Sequence, residues 1–134
     1  MEKLVLTDSI NLLCVTATSF PEGITDAFTN LQSLIPNAED RTFFGISYPL
    51  NGKIIYKAAV EQKSEGEAKE FGLEAFTIPS GIYLTETINN FMENIPLIGE
   101  TFQALLASPQ LDQFPCIEWY KSNTDVMCMV KLKE

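Results

Sequence analysis

Apolar residues recur along this chain with two alternating periods. Residues 10–18 (Ile-Asn-Leu-Leu-Cys-Val-Thr-Ala-Thr) are β-prone and bounded by Ser19-Phe20-Pro21, which predicts a strand. Ile24, Ala27, Phe28, Leu31, Leu34 and Ile35 then fall at helical spacing, with Thr25, Asp26, Thr29 and Asn30 on the wet side. Pro21 suits the first turn of that helix and Pro36 stops it. Residues 42–49 and 54–61 predict two further strands joined at Asn51-Gly52, a strong hairpin signal. The first half thus reads strand, helix, strand, strand.

Residues 62–70 are polar and read as an exposed connector, with Glu65, Glu67 and Glu70 as a solvated cluster. Beyond them the order repeats. Residues 73–87 are extended, with a kink at Pro79-Ser80-Gly81. Ile88, Phe91, Met92 and Ile95 suggest a helical turn. Pro96 opens a longer helix with Ile98, Phe102, Leu105 and Leu106 on one stripe. Residues 115–121 and 126–132 form the last two strands around the turn Ser122–Asp125. The expected fold class is α+β: one domain over 1–134, built from two strand-helix-strand-strand modules with pseudo-two-fold symmetry, at about 10–61 and about 73–132. The antiparallel sheet carries helices on one face and leaves a ligand groove on the other.

Composition narrows the function. The 134 residues contain no histidine, so Ser-His-Asp and Cys-His nucleophile pairs and imidazole zinc sites are excluded. A net charge of −9 argues against direct nucleic-acid binding. The three cysteines lie in apolar runs without Cys-x-x-Cys spacing, as buried free thiols of a cytoplasmic protein do. No signal peptide opens the chain, and no run is apolar enough to span a membrane. Phosphate-binding glycine motifs are absent, and neither cofactor nor metal is expected.

Glu118 is the main candidate for chemistry. It interrupts the apolar strand Cys116-Ile117-Glu118-Trp119-Tyr120. Period 2 places Cys116, Glu118 and Tyr120 on one face, expected to line the groove. Ile117 and Trp119 take the other, expected to pack beneath the helices. A carboxylate on an aromatic surface is costly without a partner, and a cationic ligand would be one. The same pattern also fits a wet sheet face. Tyr48, Tyr56, Tyr83 and Phe91 could supply pocket walls and ring faces for a cation, or simply core packing. Met92, Met127 and Met129 read as core.

The order of elements, the segment Thr77-Ile78-Pro79-Ser80-Gly81-Ile82-Tyr83 and the segment Pro115-Cys116-Ile117-Glu118-Trp119-Tyr120 resemble the GyrI-like small-molecule-binding family. That family includes the effector-binding domains of bacterial AraC-type and MerR-type multidrug regulators. The resemblance runs from about residue 10 to 132. It implies a cleft between two modules that takes lipophilic, often cationic aromatic compounds. By that likeness Glu118 and Tyr120 line the cleft, Tyr83 follows the Pro-small-Gly step, and Tyr56 or Tyr48 supplies a first-half aromatic. The chain shows no DNA-binding helix pair ahead of its first strand. The expectation is therefore a ligand binder that acts on transcription through a partner. Two alternatives remain. One is a small hydrolase using the cleft Glu, although the sole Trp of this sequence, Trp119, lies in the second half. The other is an acidic inhibitor of a DNA-handling enzyme.

Overall fold

The computed structural model describes residues 1–134. The chain is α+β, with eight strands, paired antiparallel within each unit, and three α-helices. It divides into two compact units, Ser9–Ile78 and Pro79–Glu134 together with Met1–Asp8.

The Ser9–Ile78 unit contains β2 (Ile10–Thr16), α1 (Ile24–Leu34), β3 (Phe43–Leu50), β4 (Lys53–Glu61), α2 (Glu67–Phe71) and β5 (Glu74–Ile78). Its strand order is β3-β4-β2-β5. The β3–β4 hairpin turns at Asn51 and Gly52, both with positive φ. That is the backbone an Asn-Gly pair supplies at little cost. Ala27 and Leu31 of α1 pack on Leu13, Ala58 and Val60, so the predicted stripe is the one buried, except at its end, where Leu34 is exposed. The helix starts at Ile24, three residues after Pro21, and Ile35 is extended but still buried.

The other unit contains β1 (Glu2–Leu6), β6 (Gly81–Ile88), a 3-10 turn at Phe91–Glu93, α3 (Ile95–Leu105), β7 (Cys116–Tyr120) and β8 (Val126–Lys131), in the order β1-β6-β8-β7. Phe102 and Leu105 of α3 pack on Ile88, Val126, Cys128 and Val130. Leu106, expected on the buried stripe, is exposed instead, because at helical spacing it falls beside Ile95 and Gly99 on the outer side. No helix is long and apolar enough to cross a membrane.

Three expectations change. Glu2–Leu6 is a strand that no alternation announced, held by pairing with β6. The unit boundary falls at Ile78–Pro79, because β5 pairs with β2 and so belongs with the first strands. The stretch 62–70 is only partly a solvated connector. Glu67 is 5% exposed. It accepts two hydrogen bonds from Arg41, Nη1 at 2.9 Å and Nη2 at 2.8 Å, and one from the Lys63 backbone N–H at 2.7 Å. A charge this deep persists because a bidentate guanidinium meets it.

Candidate functional site

The site is built on β7. Its pairing with β8 sets Glu118 opposite Cys128 and Tyr120 opposite Val126. Cys128 and Val126 are among the β8 residues that meet α3, and Cys116 and Tyr120 pack against the same cluster. The predicted alternation therefore holds, but its orientation is reversed. Cys116, Glu118 and Tyr120 occupy the sheet face that carries α3. Ile117 and Trp119 share the opposite face with Met129 and Met127. Period 2 separates the two sets; only the register with β8 says which set meets the helix.

Glu118 is 8% exposed. The Tyr120 hydroxyl donates to its Oε1 at 2.5 Å, an i, i+2 contact that a strand provides on one face. The Phe91 ring lies against Tyr120, with centroids 5.3 Å apart and planes tilted by 58°. Phe91 is placed by the turn after β6. Asn90 takes a left-handed conformation that asparagine tolerates, and the Phe91 N–H donates to the Thr124 carbonyl at 2.9 Å. Ser122 holds the β7–β8 turn, its Oγ accepting from the backbone N–H groups of Thr124 and Asp125. Three predicted residues, Glu118, Tyr120 and Phe91, thus meet.

The nearby sulfurs are thiols. Burial pushes Cys116 up to about 11 and Cys128 up to about 12, and the Glu118 charge adds to both. Neither is a nucleophile at neutral pH. Cys14, in the other unit, is also free and held at about 12 by burial. No three Cys, Asp or Glu side chains are grouped to hold a metal ion.

Tyr83 does not join this group. It pairs with Lys131 on β8, whose neighbours in register put it on the sheet face away from α3. It is fully buried, and its hydroxyl donates to the Pro79 carbonyl at 2.6 Å. Burial raises its pKa to about 12. Tyr56 and Tyr48 lie in the Ser9–Ile78 unit. Tyr56 is buried on the α1 face, with the Phe20 ring stacked on it at 6.0 Å and the Phe28 ring edge-on at 6.3 Å. Tyr48 is half-buried on the other face. Met127 and Met129 are core as expected, whereas Met92 is 69% exposed.

Sequence reasoning missed two features. Lys121 places its Nζ 3.4 Å from the centre of the Trp119 ring, and desolvation there lowers its pKa. The Trp-x-Lys spacing on one strand face was the available signal. An open polar depression of about 430 Å³ is lined by residues including Asn11, Glu61, Gln62 and Lys63, and contains none of the predicted site residues.

No family model and no curated protein matches the chain. Solved structures do. An integron cassette protein from the mobile metagenome of Vibrio cholerae superimposes with a TM-score of 0.69 at 14% identity, covering 98% of this chain and 95% of its own. A hydrolase from Listeria innocua gives 0.62 at 11% identity, with 98% and 90% coverage. SAV2435 bound to tetraphenylphosphonium gives 0.62 at 14% identity, with 99% and 94% coverage. At such identities the likeness establishes the fold: this chain has the α+β architecture shared by these proteins.

Proposed function

We propose that the chain is a GyrI-like binding protein for lipophilic, cationic aromatic molecules, with Glu118 as the counter-charge and Tyr120 and Phe91 as ring walls. The observation that carries this reading is a carboxylate 8% exposed on an apolar sheet face, hydrogen-bonded to Tyr120, whose ring packs on Phe91. Coulomb attraction strengthens as water is excluded, so a cation delivered by a lipophilic ligand gains most at such a depth. Ring faces add ~0.5–2 kcal/mol each to cation binding. A solved structure of SAV2435, with the same architecture, has tetraphenylphosphonium bound, a cation of this chemical class. In this reading a partner protein distinguishes the filled state from the empty one, as for a multidrug effector domain in transcription control.

Calorimetric titration tests it, comparing tetraphenylphosphonium with neutral triphenylphosphine oxide. The cation binds and the neutral compound binds much more weakly. Glu118→Gln weakens the cation at least about tenfold, ~1.4 kcal/mol, and leaves the neutral compound unchanged. Equal affinities for both compounds in both proteins would overturn the reading.

A further inference from the structure

Strand β1 is the outer edge of the β1-β6-β8-β7 sheet. One hydrogen bond shows which of its backbone groups are paired: the Leu132 N–H donates to the Ile82 carbonyl at 2.9 Å. In a strand the N–H and C=O of one residue point to the same side, and successive residues alternate. Ile82 and Leu84 therefore face β8, whereas Gly81, Tyr83 and Thr85 face β1. Opposite these last three in register stand Leu6, Leu4 and Glu2. Lys3 and Val5 are left with their N–H and C=O groups turned away from β6, and no further strand pairs with them. Val5 is also 65% exposed, although it is β-branched and apolar. A free backbone row beside an uncovered apolar side chain is a template for another strand.

The edge strand of the other unit, β5, offers less. The Gln62 N–H donates to the Asn11 carbonyl, so Asn11 faces β4, and Leu12 and Cys14 face β5. The free groups of β5 belong to Ala75 and Thr77, neither of which carries a large apolar side chain.

Charge and register select the occupant. Opposite side chains of an antiparallel pair share a face, so a two-fold pair of β1 strands must centre on a residue set against itself. Centred on Lys3, it opposes two ammonium groups. Centred on Val5, it sets Glu2 opposite Asp8. Centred on Leu4, it sets Lys3 opposite Val5 and Glu2 opposite Leu6, with no like charges in line. In that register Lys3 and Val5 of each copy exchange both backbone hydrogen bonds with Val5 and Lys3 of the other, so the free groups of β1 are satisfied. The aliphatic stem of Lys3 then covers Val5. Glu2 and Lys3 also leave β1 neutral within a chain of net charge −9. We propose that two copies of this chain join through β1, in an antiparallel pair centred on Leu4 that continues the β1-β6-β8-β7 sheet of one copy into that of the other. This goes beyond the ligand site and stands without it.

Sedimentation velocity on the full chain at rising concentration tests it. A monomer–dimer equilibrium is expected, stronger at high salt, where the repulsion between two acidic copies is screened. Val5→Pro removes an N–H that no strand of the same copy uses. The melting temperature of the dilute monomer is therefore kept, and the dimer weakens at least about tenfold. Two further variants keep that N–H and read the register. Val5→Glu attracts Lys3 of the other copy and Val5→Lys repels it, each twice by symmetry. Val5→Glu thus dimerises at least about tenfold more tightly than Val5→Lys, despite its added negative charge. These two variants decide the matter if Val5→Pro fails to fold. The proposal is overturned by a monomer at every concentration up to about 1 mM. It is overturned by species that grow beyond the dimer, the sign of a head-to-tail contact between β1 and β5. A dimer that Val5→Lys and Val5→Glu affect alike overturns it as well, since that means another surface or a pair centred on Val5.

Discussion

Two buried glutamates, one in each unit, have different neighbours. Glu67 receives both ends of the Arg41 guanidinium and the Lys63 N–H, and this holds its carboxyl down at about 2. Its side chain is 7% exposed and that of Arg41 4%. Glu118 lies at similar depth, where the Tyr120 hydroxyl donates to it and its charge raises the Cys116 and Cys128 thiols. The first carboxylate is committed to the fold: it fastens α2 and the 62–66 loop to the start of β3. The second accepts a hydrogen bond from a phenol beside an aromatic ring, and the proposed ligand site rests on it. A buried acid is thus no sign of a binding site until its neighbours are known.

The largest break in this contrast comes from Arg41→Met. It leaves Glu67 buried beside an apolar chain and costs ~3–5 kcal/mol of stability in urea unfolding, as uncompensated buried charges do. Adding Glu67→Met recovers most of the loss.

Acid sharpens the same contrast. The folded pKa of Glu67 lies below its unfolded value, 4.5 as a model group and about 2 in place. Its contribution is therefore complete above about 4.5 and is lost as pH falls through 4.5 towards 2. Thermal unfolding followed across that window shows a steep fall in the natural sequence and a shallower one in the Arg41→Met, Glu67→Met pair.

The smallest effect is on the other side. Tyr120→Phe keeps the ring against Phe91 and removes the hydroxyl donated to Glu118. It costs about 1 kcal/mol of stability, the net worth of one such hydrogen bond. A loss on the scale of Arg41→Met would mean that Glu118, too, is a structural anchor.

Much of the framework was legible beforehand. The α1 stripe, the Asn51-Gly52 hairpin and the β7–β8 pair follow from local spacing and turn chemistry, which depend on neighbours in sequence. Glu118 and Tyr120 on one face, and the free thiols, buried at Cys14 and Cys128 and half-buried at Cys116, were legible for the same reason. Strand β1 was not, because a short edge strand is stabilised by its partner β6, whose paired residues lie some 80 positions away along the chain.

What the sequence alone determined is the set of periods and the residues that travel together on each face. Tertiary structure decided which face meets which helix, since the β7–β8 register put Glu118 under α3 and Trp119 opposite. It also decided which acids are spent on the fold: Glu67 sits in a charged run, yet Arg41, 26 residues away in sequence, claims it. Periodicity is a property of one segment, whereas the burial and neutralisation of a charge depend on groups that only folding brings within reach.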